Sequence, residues 1–418
     1  MLRYDLQENL CLSHQWMGTS IRAFWSQPAF AFTPSPMPSL LAAWGQVTAR
    51  AFSRMRVVPE WNIESRDLDG HGLRIHERML ADKAFCSLVR FSIDIPDRSN
   101  DAVPANGAAR PQILLVAPLS GHHSTLARKT VASLLPVCDV SVTEWKDARC
   151  VPLTAGRFDI EDYTRYLVEF MRLLGPDIHV IAVCQPAPLA LSATAILAAA
   201  DGDATCTPKS LTLIGGPIDP DANPTDITDF GNRFTMGQLE SGMIQTVGRT
   251  FPGAGRRVYP GAVQLASFLS MNWPTHAQAF SRQIRRVARG DDREDDRHNS
   301  FYDEYFAVMD MTAEFYLSTV ERIFKGREIA RNAFSVGGEP VDINRISETA
   351  VMVVEGGRDD ISAPGQCLAA FDLLPNLPDS MRESILDPDA GHYGVFSGRA
   401  WRERIRPRVL AFIDRHSC

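Results

Sequence analysis

The chain is 418 residues long, 45% apolar and 22% charged, with a formal net charge of −7. That length accommodates a large core or two domains, and the composition is that of a globular protein. The acidic balance excludes the basic footprint of a nucleic-acid binder.

The first ten residues, M-L-R-Y-D-L-Q-E-N-L, carry acidic residues where a signal peptide is basic and then apolar, so a cytosolic protein is expected. Cysteines stand at 11, 86, 138, 150, 184, 206, 367 and 418, with no C-x-x-C pair among them. Buried reduced thiols are therefore the default, and no metal or redox spacing is expected.

Residues 1–60 are rich in aromatics and prolines, from Trp16 and Phe24-Trp25 to P-S-P-M-P. They are expected to form an irregular N-terminal extension packed on the body. The sharper alternative is a surface for an apolar substrate or particle. Residues 73–95 alternate in strand fashion, and a loop, D-R-S-N-D-A-V-P-A-N-G, follows. I-L-L-V-A-P at 113–118 predicts a buried strand, and L-S-G-H-H-S-T-L-A-R a small-residue turn opening a helix. V-S-V-T-E-W predicts the next strand and residues 161–174 the next helix.

Residues 178–200 contain no Asp, Glu, Lys or Arg. The stretch has the length of a membrane span, but Pro186 and Pro188 interrupt it. I-H-V-I-A-V before them is a buried-strand pattern. L-A-L-S-A-T-A-I-L-A-A-A after them is a helix pattern, stopped by Asp201-Gly202. The expected unit is strand, sharp turn, buried helix, with no transmembrane segment.

L-T-L-I-G-G-P-I-D at 211–219 predicts another buried strand. The alternation then breaks. Residues 220–345 read as helices and loops, with a solvated charged run, R-Q-I-R-R-V-A-R-G-D-D-R-E-D-D-R, and a long helix expected over 302–324. The sheet resumes at A-V-M-V-V-E-G-G, residues 350–357. The expected architecture is an α/β fold with a mostly parallel sheet flanked by helices. Its core comprises residues 61–219 and 346–418, and residues 220–345 form a largely helical insertion capping the C-terminal edge of the sheet.

Cys184 sits at the strand-to-helix turn. A nucleophile there is lifted out of the sheet, its anion is favoured by the helix N-terminus, and the next backbone N–H can hold an oxyanion. A cysteine met at random is more often inert, so partners must decide. Strand 350–355 runs into E-G-G-R-D-D-I-S-A-P, and the final strand, S-I-L-D-P, into D-A-G-H-Y-G-V-F. The order nucleophile, acid, histidine is that of the α/β-hydrolases. Asp359 is preferred as the acid because G-x-x-D-x-I places it two residues before the apolar residue re-entering the core; Asp360 is the alternate. His392 would take the Cys184 proton or hold the thiolate as an ion pair, and Asp359 would orient the imidazole. The Gln185 N–H, with that of Leu119 or Ser120, would hold the oxyanion. His122 and His123 lie near that turn, as pocket residues or as hydrogen-bonding loop residues.

The chain resembles the intracellular polyhydroxybutyrate depolymerases. The resemblance rests on A-P-L-S-G-H, I-A-V-C-Q-P, F-Y-D-E-Y-F-A-V-M-D-M-T-A-E-F-Y-L-S-T-V, V-E-G-G-R-D-D-I-S-A-P-G-Q and G-H-Y-G-V-F-S-G. It implies an α/β-hydrolase fold, a cysteine nucleophile and hydrolysis of amorphous poly(3-hydroxybutyrate) at the surface of cytoplasmic granules. Polyester synthases also use cysteine, but their elbow keeps a glycine two residues on, where this chain has Pro186. No metal or organic cofactor is expected. Coenzyme A as acyl acceptor would convert the same thioester by thiolysis. The competing functions are a synthase-like acyltransferase, a non-catalytic granule-surface protein and an esterase for small soluble esters.

Overall fold

The structure, a computed structural model, describes residues 2–30, 32–64, 73–94, 110–200, 206–291, 293 and 297–417. The loop expected at 97–107 and the helix stop at Asp201-Gly202 lie outside the described residues, as does part of the charged run.

The chain does not begin irregularly. Residues 2–54 hold two helices, α1 Leu2–Trp25 and α2 Met37–Arg54, packed against each other. Two glycines permit the close approach. A Cβ on Gly18 would lie 2.7 Å from the Ala49 nitrogen, and one on Gly45 would lie 2.6 Å from the Gly18 carbonyl oxygen. The prolines read as breakers open the second helix instead, with Pro36 at its N-cap and Pro38 in its first turn. Both glycines sit at the crossing of two helices, which a one-dimensional pattern does not display.

Among the described residues the fold centres on an eight-stranded sheet. Its first six strands are β1 Ile75–Asp82, β2 Cys86–Ile93, β3 Gln112–Val116, β4 Asp139–Trp145, β5 Ile178–Val183 and β6 Ser210–Ile214. Five short strands follow: β7 Gln245–Thr246, β8 Arg257–Tyr259, β9 Met311–Thr312, β10 Ser335–Val336 and β11 Glu339–Pro340. The sheet is completed by β12 Ala350–Gly356 and β13 Arg382–Asp387. The strand order is β1-β2-β4-β3-β5-β6-β12-β13. β2 pairs antiparallel with β1 and β4, and the remaining pairings are parallel. This is the α/β-hydrolase arrangement.

Alternate residues of each central strand supply two separate cores, as a pleat of period two requires. Leu114 and Val116 of β3, Val180 and Ala182 of β5, and Val351 and Val353 of β12 face one layer. There they meet α4 Ile160–Leu174 and α5 Ala187–Ala199. Ile113 and Leu115, Ile181 and Val183, and Met352 and Val354 face the other layer, under α3 Arg128–Leu134 and the C-terminal helix Arg406–Arg415. Burial of each such Val, Leu or Ile side chain stabilises by about 1.5–3 kcal/mol. No helix among the described residues is long and apolar enough to cross a membrane; the uncharged stretch divides into β5 and the buried α5.

Between β6 and β12 lie five helices of eight residues or more among the described residues: α6 Asp226–Arg233, α7 Met236–Met243, α8 Gly261–Met271, α9 Trp273–Ala288 and α10 Arg297–Phe306. They accompany a three-stranded sheet, β7-β8-β9, that the helical pattern did not announce. The helix expected over 302–324 is broken. α10 ends at Phe306, and a short helix resumes at Ala313–Ser318, followed by a π-helical turn, Thr319–Lys325. Tertiary hydrogen bonds displace the intrahelical ones in the gap. The Met309 N–H donates to the Gly121 carbonyl at 2.8 Å, and the Asp310 N–H to Asp147 Oδ1 at 3.1 Å.

Asp310 joins this segment to α1. Its Oδ2 accepts the Tyr4 hydroxyl at 2.5 Å and its Oδ1 accepts the Gly261 N–H at 2.9 Å. Arg149 Nε lies 2.8 Å from Asp147 Oδ2 beside it. Burial, reinforced by the Asp310 charge and opposed by Arg149, pushes the Asp147 carboxyl up to about 7. Tyr4→Phe removes a buried charge-assisted bond and is expected to cost about 1.5–3 kcal/mol. Thermal unfolding followed by circular dichroism checks this; an unchanged midpoint would show that the bond does not anchor α1.

Candidate active site

β5 ends at Val183, and Cys184 turns the chain with φ +66°. A non-glycine residue in that region stores of order 1–3 kcal/mol of strain, which the surroundings must over-determine. They do so from both sides. The Cys184 N–H donates to the Ile214 carbonyl at 2.7 Å, and its own carbonyl accepts the Ala187 N–H at 3.0 Å. Pro186 takes helical angles, φ −72° and ψ −10°, and α5 starts at the next residue. The turn is thus carried by Cys184 itself, with Gln185-Pro186 fitting into the helix start.

Gly216, the second glycine after β6, makes room for this elbow. A Cβ on Gly216 would stand 2.2 Å from the Ala187 Cβ and 2.8 Å from the Cys184 carbonyl oxygen. Gly215, with φ +55°, ends β6 earlier than the pattern of 211–219 suggested, and its N–H donates to the Val354 carbonyl at 2.9 Å.

Asp359 follows β12 and is buried. One carboxylate oxygen, Oδ1, accepts the N–H groups of Ile361 and Ser362, each at 2.9 Å. The other, Oδ2, lies 2.8 Å from Nδ1 of the buried His392. Asp360, the alternate acid, is exposed and accepts from the Asn272 amide at 3.1 Å; the acid facing His392 is Asp359. Burial alone would lower the His392 pKa. The neighbouring Cys184 and Asp359, by charge and hydrogen bonding, outweigh it and hold the imidazole well above its ordinary value. The structure therefore brings Cys184, His392 and Asp359 together.

Glu355, unremarked in the sequence, holds the acid-bearing loop. This buried carboxylate accepts the N–H groups of Gly365 and Cys367 at 2.9 Å and of Leu368 at 3.0 Å. A lone carboxylate at the end of an apolar strand, V-M-V-V-E-G-G, was the visible signal.

The backbone N–H groups of Gln185, Leu119 and Ser120 donate to no other group among the described residues. Leu119 and Ser120 follow β3, the strand beside β5 in the sheet. His122 and His123 are buried, and burial pushes both down to about 4, so both are neutral near pH 7. His122 Nε2 lies 3.2 Å from the Tyr305 carbonyl, and its ring packs on Phe268 and Tyr305. It ties the loop after β3 to the segment above; neither histidine is placed with the Asp359–His392 pair. Tyr393, next to His392, packs near Tyr305 and Phe301 in the same aromatic group. Among the described residues no group of three or more His, Cys, Asp or Glu side chains is disposed to hold a metal ion.

Gly216→Ala places a methyl group against two atoms that cannot swing away. Overpacking of that kind costs about 1–3 kcal/mol, and relief requires moving the elbow. The variant is expected to show a lowered unfolding midpoint and at least tenfold less ester hydrolysis. Wild-type values for both would show that the elbow tolerates displacement.

Residues 215–417 match the family model described as PHB de-polymerase C-terminus. No curated protein matches the chain. Among solved structures it is similar to a monoacylglycerol lipase of Paleococcus ferrophilus, at 13% identity and a TM-score of 0.43, covering 74% of this chain and 96% of that one. It is also similar to a carboxylesterase structure from Nitrososphaera gargenis, at 13% identity and a TM-score of 0.45, covering 81% and 99%. A putative lipase of Acinetobacter baumannii matches at 12% identity and a TM-score of 0.42, covering 86% and 99%. It is the strand order, not these distant likenesses, that identifies the fold. The family match, in turn, supports ester hydrolysis. The chain therefore has the α/β-hydrolase fold, and its residues 215–417 are similar to the C-terminal region of the PHB depolymerases.

Proposed function

We propose that the chain hydrolyses ester bonds of amorphous poly(3-hydroxybutyrate), with Cys184 as nucleophile, His392 as acid–base and Asp359 as the group that orients it. The observation that carries this is the strained Cys184 elbow facing a buried His392–Asp359 pair. Strain and a desolvated ion pair are retained where chemistry needs them.

The steps follow from the groups present. His392 holds the proton from Cys184 as an imidazolium, and the sulfur, paired with it, attacks the ester carbonyl. The oxyanion accepts hydrogen bonds from the Gln185 N–H and from that of Leu119 or Ser120. The imidazolium returns its proton to the departing 3-hydroxyl group, leaving a thioester on Cys184. Water, deprotonated by His392, releases the acid and the free thiol. The aromatic surroundings, Tyr393, Tyr305 and Phe301, suit an apolar polyester better than a charged soluble ester. The same thioester would pass to coenzyme A if that thiol reached it before water. Cytoplasmic granules as the site of action follow from the substrate. In this reading residues 220–345 act as the cap of a core made by 61–219 and 346–418, and the 1–60 extension packs on the side. On α1 and the turn after it, Trp16 is 73% exposed and Phe32 91% exposed.

Incubation with amorphous 3-hydroxybutyrate granules should release 3-hydroxybutyrate units or oligomers. Cys184→Ala should lower that release by at least about 10³-fold. Release that survives the substitution would retain the substrate and sink the nucleophile; none from the wild type would sink the depolymerase reading.

The pH dependence has a defined sign. Because His392 is held above its ordinary value, its proton is present through neutral pH and is lost only as pH rises through the raised pKa. Activity should fall on that alkaline side, and at low pH as the Cys184–His392 pair gains a proton. Asp359→Asn removes one of the groups that raise His392, so the alkaline fall should move to lower pH while the rate drops. A profile that is flat from about pH 5 to 9 contradicts the pairing.

A further inference from the structure

A cleft of about 780 Å³ opens beside the His392 loop. It lies between the segment after α2, the start of α3, the end of α10 and the C-terminal helical turns. The volume is within the roughly 300–1,000 Å³ usual for ligand sites. Cys184, Asp359 and His392 do not line it, but Tyr393 and Phe396 do, and their rings lie 5.9 and 6.2 Å from that of His392. Tyr393 thus borders both the cleft and the His392 ring.

The cleft has two kinds of wall. Val57, Val58 and Phe301 give it an exposed apolar side, at 41%, 61% and 38% exposure. Lys129, Arg402 and Arg406 give it a cationic side. Other charges at the rim are already matched: Arg54 pairs with Asp303 and Arg128 with Glu304. Among the described residues Lys129 and Arg402 have no carboxylate within ion-pair distance, and Arg406 donates to the Ser133 carbonyl at 2.9 Å. Three cations then face one unmatched carboxylate, Glu60. An apolar wall ending in surplus positive charge is complementary to an apolar chain ending in an anion.

We propose that this cleft binds linear hydroxyalkanoate oligomers by their terminal carboxylate, held by Lys129 and Arg402, with the ester chain lying along Val57, Val58 and Phe301 toward Tyr393. The proposal rests on the polyester reading above and adds a second class of substrate, released oligomers, to the polymer. Amorphous polymer presents few chain ends, whereas every short oligomer carries one.

The test is binding, so it does not depend on turnover. Cys184→Ala protein is titrated calorimetrically with the linear 3-hydroxybutyrate trimer acid, its methyl ester and monomeric 3-hydroxybutyrate. The acid trimer is expected to bind at least tenfold more tightly than the methyl ester, with the difference shrinking as salt rises. Lys129→Gln with Arg402→Gln, both exposed positions remote from the core, should remove the difference and leave the unfolding midpoint unchanged. Equal affinities for acid and ester overturn the proposal, as does an acid preference that survives the double substitution. Monomer binding as tight as trimer binding overturns the oligomer assignment and makes the cleft a product-anion site. Granule hydrolysis by the wild-type protein is measured separately. Its absence sinks the depolymerase reading, while the binding comparison tests the cleft by itself.

Discussion

Four neighbouring strands, β3, β5, β6 and β12, release their loops at one edge of the sheet, and adjacent strands are only about 4.8 Å apart. That crowding is the constraint on which the rest depends. Cys184 turns back at positive φ, and of the two glycines after β6 Gly216 leaves no room for a Cβ against the elbow, while Gly215 takes a positive φ beside Asp359 and His392. Hydrogen bonds running strand to strand, from Cys184 to Ile214 and from Gly215 to Val354, lock the loops to one another. The sulfur, the imidazole and the carboxylate converge because their supporting loops have nowhere else to go.

Crowding leaves buried backbone groups in need of partners, and carboxylates supply them. Glu355 satisfies three N–H groups of the acid loop and Asp359 satisfies two more while keeping one oxygen for His392. An unpaired buried donor costs about 1–3 kcal/mol, so the loop cannot relax without losing several such bonds together. Both Asp359 carboxylate oxygens are thereby held by hydrogen bonds, although the residue sits in a loop.

The insertion and the N-terminal helices meet the core through a second buried polar cluster. Tyr4, Asp147, Arg149 and Asp310 come from three distant parts of the chain. Burial, with the Asp310 charge beside it, pushes the Asp147 carboxyl up against the opposing pull of the Arg149 guanidinium. Breaking such a cluster by removing one member is costlier than never having built it. The same segment, 307–312, is pinned to the loop after β3 through Gly121 and His122.

The sheet, its crossover helices and the order Cys184, Asp359, His392 were legible because period-two burial and chain order are one-dimensional properties. Apolar runs such as I-H-V-I-A-V and V-M-V-V announce buried strands wherever they pair, and the prolines after Cys184 announce the helix start. What the sequence left open depends on approach in space. The choice of Asp359 over Asp360 depends on which carboxylate faces the imidazole. The break at 307–312 depends on bonds to residues more than a hundred positions away. The close packing of α1 on α2 depends on Gly18 and Gly45 meeting at a crossing. A residue's pattern tells which face it buries; only the tertiary structure tells what stands opposite, and there contact energies overrule local propensity.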